Sequence, residues 1–193
     1  MDQDHAPQGD ANALIGGTDV TPLMPRMLLN LQNRGQLAAG LSSYDPDRMQ
    51  LLDTFKDIGG VAEAFRMSHP EKHKAILKKY AGRAAIGHVR YATCGQDNAR
   101  YAQPFERHHG RRWKWFSFAF NGNLSNYREL REGLLSKRDY HFTLDTDTEI
   151  IMHELSYRLR GDVAPDLKQV LTEISESFDG AYNIAFLDAN GRM

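Results

Sequence analysis

Ser117-Phe118-Ala119-Phe120-Asn121-Gly122-Asn123-Leu124-Ser125-Asn126-Tyr127 is the stretch on which the reading of this chain turns. Large aromatic and small residues alternate from Trp113 to Phe120, the two-residue period of a strand. The alternation stops at Asn121-Gly122, a dipeptide that favours a sharp backbone turn. Asn126 stands three residues before Glu129, the spacing of a capping box, and Tyr127, Leu130, Leu134 and Leu135 follow at helical intervals. The expectation is therefore a strand, a tight turn at Asn121-Gly122, and a helix. Such a turn has a chemical use. Gly122 can direct its backbone N–H outward and Asn121 adds a side-chain N–H₂, so two fixed donors converge where an oxyanion forms during attack on an amide. On this stretch alone, an ordinary strand-to-helix connection without chemistry is the simpler reading.

Downstream, residues 140–142 read as a short extended piece. Asp145-Thr146-Asp147-Thr148-Glu149 then leads into a helix carrying Ile150, Ile151, Leu155 and Leu159. Any one of these polar residues can cap the helix, which leaves at least one carboxylate for other work. Leu167, Val170, Leu171, Ile174 and Phe178 mark a regular amphipathic helix, and residues 180–188 a last strand. Ala189-Asn190-Gly191 begins a hairpin whose second strand is absent, so the chain is expected to stop short of a natural boundary.

Upstream, residues 83–93 read as a buried strand with Arg90 near its end, an uneasy place for a guanidinium without an anion to meet it. A polar loop follows over 96–104. The run Glu106-Arg107-His108-His109-Gly110-Arg111-Arg112 reads as a charged hairpin tip in preference to a metal site, because adjacent histidines point apart and no further ligand stands at a recognisable spacing. His88, His141 and His153 are read as hydrogen-bonded structural residues. Met24, Met27, Leu28 and Leu31 lie on one helical face closed by Gly35. Residues 36–44 form a strand whose Ala38, Ala39 and Gly40 permit close approach of another element. Asp45-Pro46-Asp47 is a turn, residues 50–55 a returning strand, and residues 59–67 and 70–80 helices, with Lys72, Lys74, Lys78 and Lys79 a solvated surface. Residues 1–20, rich in Asp, Gln, Gly, Ala and Pro, are expected to be a disordered or loosely held arm before a domain spanning 21–193.

Composition narrows the classes. At 193 residues the chain suits one domain with a substantial core. With 24 basic and 25 acidic residues there is no global electrostatic case for nucleic acid or an anionic membrane. No segment approaches the roughly 20 apolar residues of a membrane span, and the acidic start is no signal peptide. A soluble, cytoplasmic protein is expected. The single cysteine, Cys94, forbids an internal disulfide.

Four segments taken together, Asn33-Arg34-Gly35-Gln36, Gly87-His88-Val89-Arg90-Tyr91-Ala92-Thr93, Asn121 to Tyr127, and Asp145 to Glu149, resemble in order and spacing the glutaminase domain of class II glutamine amidotransferases, a family of N-terminal-nucleophile hydrolases. The likeness covers most of residues 20–188. Tyr91 after the Arg and the run Asn-Gly-Asn-Leu resemble the amidophosphoribosyltransferase branch more than the glucosamine-6-phosphate synthases. The resemblance implies an α+β fold, a four-layer αββα sandwich of two antiparallel sheets, expected here to be incomplete at both ends. It implies that Arg90, with Tyr91 and Thr93, binds the α-carboxylate of glutamine. Asp147 takes its α-ammonium, and Asn121 and Gly122 form the oxyanion hole.

It further implies no cofactor in this domain, with Mg confined to a missing acceptor domain of phosphoribosyltransferase type, and a homo-oligomeric full enzyme of purine biosynthesis. Neither nucleic acid nor membrane is an expected partner. Against the family pattern, Asp2 follows Met1, no Cys, Ser or Thr lies in residues 11–17, and Cys94 is placed at the carboxylate end of the site without a free amine. The chain is therefore expected to lack its true N-terminus, to bind glutamine weakly or not at all, and to hydrolyse it negligibly. Two other readings stay open: a non-catalytic glutamine-binding module, and the glutaminase domain of another amidotransferase such as glucosamine-6-phosphate synthase.

Overall fold

The computed structural model describes residues 19–34, 37–91, 99–137, 142–144 and 146–193. Expectations at residues 1–18, Gly35, Gln36, Thr93, Cys94, His141 and Asp145 lie outside these. The chain divides into two compact units, with the boundary between Pro104 and Phe105.

The first unit runs α1 (Leu23–Leu31), a 3-10 turn (Gln32–Arg34), β1 (Ala38–Tyr44), β2 (Leu52–Ile58), α2 (Val61–Ala64), α3 (Pro70–Lys79), β3 (Ala84–Arg90) and a 3-10 turn (Ala99–Tyr101). Its sheet has the order β2-β1-β3, and both pairings are antiparallel. β1 is the central strand because its small residues let both neighbours close in: a Cβ on Gly40 would collide with Phe55 O and Gln103 O. The returning strand begins and ends later than the hydrophobic pattern suggests, since the ladder continues until Ile58 meets Ala38. The helix expected over 59–67 is a single turn, because Arg66 adopts a left-handed conformation at φ 53° and breaks it.

Met24 and Leu28 are buried against Val61, Ala64, Phe65 and Leu41, with Phe55 packed tilted on Phe65 (5.1 Å) and Tyr80 (5.4 Å). Met27 and Leu31, expected on the same buried face, are exposed, so the contact of α1 is narrower than its apolar stripe. The four lysines of α3 are exposed, as expected.

The second unit runs β4 (Phe105–Arg107), a 3-10 turn (Arg112–Lys114), β5 (Phe116–Leu124), α4 (Tyr127–Lys137), α5 (Asp147–Arg158), α6 (Leu167–Ser177) and β6 (Gly180–Asp188). Its sheet has the order β4-β5-β6, again antiparallel. Phe116, Phe118, Phe120 and Leu124, alternate residues on one face of β5, bury themselves against Ile151 and Leu155 of α5 and Val170 and Ile174 of α6. The segment between β4 and β5 is fixed locally: His108 packs on Trp115 at 4.3 Å, and His109 Nδ1 accepts a hydrogen bond from Arg111 N–H (2.9 Å). At the far end of β6 the buried Asp188 carboxylate accepts from Asn190 N–H and Arg192 N–H, closing a tight turn at the place where a hairpin was expected to begin.

The expected turn at Asn121-Gly122 is not there. The strand runs through it, with Asn121 opposite Asn183, Gly122 opposite Tyr182 and Leu124 opposite Gly180. Two glycines make this possible. Gly122 (φ 152°) and Gly180 (φ 146°) adopt backbone angles that side chains resist, and a Cβ on either would strike the facing strand. The chain turns instead at Ser125-Asn126. There the Asn126 carboxamide donates to Ser177 O (2.9 Å) and accepts from Asp179 N–H (3.1 Å), tying the start of α4 to the α6–β6 corner.

Candidate functional site

Hydrogen-bond parity decides what the end of β5 offers. Ser125 N–H donates to Asp179 O (2.8 Å), which makes this pair hydrogen-bonded in the β5–β6 ladder. In an antiparallel ladder bonded and non-bonded pairs alternate, so Asn123 and Asn121 turn their backbone groups toward β6 while Leu124 and Gly122 turn theirs off the opposite edge. β4 accompanies that edge only along residues 116–118. The Leu124 N–H reaches Asp147 Oδ2 at 3.1 Å. The Gly122 N–H thus points off the same edge, two residues from the one that Asp147 engages. The outward glycine donor expected from a turn is supplied by strand parity.

Asn121, Gly122 and Asn123 are exposed, and the two asparagines sit on the face opposite the phenylalanines. Asp147 opens α5 and is partly buried. Burial raises its carboxyl above the ordinary aspartate value of 3.8, and the Leu124 hydrogen bond partly offsets this. The second carboxylate of the segment has other work: Glu149 accepts from the backbone N–H groups of Thr143 and Leu144 and so holds the approach to α5. The Thr146 and Thr148 hydroxyls meet at 2.9 Å. Composition alone does not distinguish the two acids. Only the fold places one on β5 and the other on its own loop.

The direction of the Asp147 shift has a consequence for stability. A carboxyl whose folded pKa is raised binds its proton more tightly in the fold than in the unfolded chain. Its contribution is full below the ordinary value and is lost as pH rises through the folded value. Asp147→Asn keeps an oxygen to accept from Leu124. It is therefore expected to raise the urea midpoint at pH 7 and to leave it unchanged below about pH 3.5. A variant less stable than the parent at pH 7 contradicts this balance.

In the first unit, Arg90 ends β3 with 8 % of its surface exposed, and its guanidinium lies over the Tyr101 ring at 5.2 Å. Tyr91 is 68 % exposed. His153, read as structural, packs edge-on to Phe142 at 4.9 Å, and burial lowers its pKa. Two features of this edge were not read from the sequence: the Leu124 N–H bond to Asp147, which has no side-chain signature, and the pairing of Asn183 with Asn121 across the ladder. Among the described residues no three His, Cys, Asp or Glu side chains are grouped to hold a metal, and no helix is long and apolar enough to cross a membrane.

The chain is α+β, with two three-stranded antiparallel sheets and helices, and it matches solved structures of the N-terminal-nucleophile hydrolase type. The sequence model of the family described as Glutamine amidotransferases class-II matches residues 53–193. The chain is 32 % identical over 174 residues to amidophosphoribosyltransferase 1, chloroplastic, of Arabidopsis thaliana, covering 90 % of this chain and 28 % of that protein. It is 30 % identical over 178 residues to glutamine--fructose-6-phosphate aminotransferase [isomerizing] of Staphylococcus epidermidis, covering 92 % of this chain and 27 % of that one. The solved structure of glutamine phosphoribosylpyrophosphate amidotransferase from B. subtilis, complexed with ADP and GMP, superposes with a TM-score of 0.70 at 28 % identity, covering 89 % of this chain and 33 % of its own. The chain belongs to the class II glutamine amidotransferases. It spans about a third or less of the length of these relatives.

Proposed function

We propose that the chain is the glutamine-binding part of an amidophosphoribosyltransferase-like enzyme, which as a whole releases ammonia from glutamine and delivers it to phosphoribosyl pyrophosphate for purine biosynthesis. In this reading, carried over from the family resemblance, Arg90 pairs with the glutamine α-carboxylate, Thr93 adds a hydroxyl to the same end, Tyr91 is a further substrate-binding residue, and Asp147 takes the α-ammonium. Addition of a thiolate to the side-chain amide carbon forms a C–S bond and puts negative charge on the amide oxygen, which the Asn121 carboxamide and the Gly122 N–H hold until the C–N bond breaks and ammonia leaves with the thiol's proton; this chain's residues supply the donors and not the thiol. One such donor is worth roughly 3 kcal/mol. The observation that carries the reading is the shared edge of β5, where Gly122 N–H and the Asp147 carboxylate stand two residues apart. Tyr91 after Arg90 and the run Asn-Gly-Asn-Leu favour this branch over the aminotransferase that also matches. The reading calls for no cofactor in this domain and for an acceptor domain as its partner.

Two experiments test it. Calorimetry of the purified chain is expected to give weak binding of L-glutamine and none of N-acetylglutamine, because the clamp engages both charged ends. Equal binding of the two, or no binding of glutamine, defeats the assignment. Attack of this kind needs a thiol with a free α-amine beside it, and the one cysteine of this sequence, Cys94, lies mid-chain without one. Glutamine turnover by this chain is therefore expected at background level, and turnover well above background would refute that part.

A further inference from the structure

Asn183 lies directly across the ladder from Asn121. Opposite residues of an antiparallel pair project to the same face with Cβ atoms roughly 5 Å apart, so both side chains and that of Asn123 share the exposed face. These three carboxamides are exposed. Asparagine is disfavoured in strands, yet here two stand face to face, on a side of the ladder whose nearest neighbours are Ala119, Ala185, Asn123 and Ala181. Local rules of this kind are broken where function demands it.

An oxyanion donor made from a carboxamide has an orientation problem. A half-turn of the group exchanges its N–H₂ for its oxygen, and only the N–H₂ serves. A neighbouring donor that engages the oxygen removes the ambiguity. We propose that Asn183 is a positioning residue: when glutamine occupies the site, its Nδ2–H₂ turns to donate to Asn121 Oδ1 and holds Asn121 Nδ2 toward the glutamine side-chain amide. The proposal rests on the glutamine-binding reading above and adds to it a residue that sets selectivity at the amide end.

The test is an NMR titration of the ¹⁵N-labelled chain with L-glutamine and with L-norvaline, which has the same charged ends and no amide. Glutamine is expected to shift the side-chain N–H₂ signals of Asn121 and Asn183 together with the backbone amide of Leu124, beside Asp147. Norvaline is expected to shift Leu124 alone. Asn183→Ala should weaken glutamine binding about threefold, the scale of one hydrogen bond. Asn183→Asp keeps the shape but can only accept, so it turns Asn121 the wrong way and should weaken binding about tenfold. Norvaline binding stays unchanged in both. A purely structural role predicts the reverse order, with the isosteric Asp milder than Ala, and equal losses for both ligands. Either result, or unchanged glutamine affinity in both variants, overturns the proposal. If neither ligand shifts Leu124 in the parent chain, the glutamine reading itself fails and takes this inference with it.

Discussion

Gly122→Ala is expected to destabilise the chain by about 3 kcal/mol and to open the outer end of the β5–β6 ladder, combining roughly 1–3 kcal/mol for overpacking with a similar cost for a strained backbone angle. The added Cβ meets backbone on the facing strand, at Ala181 O and Tyr182 Cα, and neither can swing aside as a flexible side chain does. At φ 152° the position also penalises any side chain. Urea unfolding measures the loss. Amide exchange locates it: the N–H groups of Asn121, Asn123 and Ser125, which face β6, lose protection, while those of β1 do not. A variant as stable as the parent, with those amides still protected, contradicts the close approach. A conservative replacement at a candidate donor site would thus fail for two separable reasons, and the exchange pattern reports the structural one without any assay of function.

The second large effect is expected at Arg90. In the proposed clamp, Arg90→Ala removes the partner of the glutamine carboxylate and lowers affinity about 100-fold, close to 3 kcal/mol, within the range seen when one member of a buried charge pair is truncated. Arg90→Lys retains the charge but loses the planar fork, and should sit between the two. Because Arg90 is nearly buried and covers the Tyr101 ring, the alanine variant also needs a folding control, which thermal unfolding supplies. Equal glutamine binding by the parent and Arg90→Ala would discard the carboxylate assignment.

How far the residues alone reach differs from element to element. The last strand is Gly180–Asp188, as its apolar pattern indicates, and α6 carries Val170 and Ile174 inward as its periodicity requires. Both are local consequences of side-chain period. The helix expected over 59–67 shrank to one turn because a single left-handed residue, Arg66, overrides the helical preference of its neighbours. In α1, periodicity gives an apolar stripe but not its width of contact: Met24 and Leu28 find partners, whereas Met27 and Leu31 face outward.

The candidate site divides in the same way. Alternation in Phe116–Leu124 determines by itself which side chains face the core and which carry Asn121 and Asn123 to the other face, because strand geometry allows only two directions. It does not determine where the strand ends or which edge receives the Gly122 N–H. Those depend on β6, more than fifty residues later in the chain, whose register with β5 carries the strand through Asn-Gly and pairs Asn121 with Asn183. In the same way, the acidic run before α5 announces spare carboxylates, but only tertiary contact gives Leu124 to Asp147 and the 143–144 backbone to Glu149. Side-chain periodicity is written locally; the direction of a backbone donor is fixed by its partner strand, and no residue's identity encodes it.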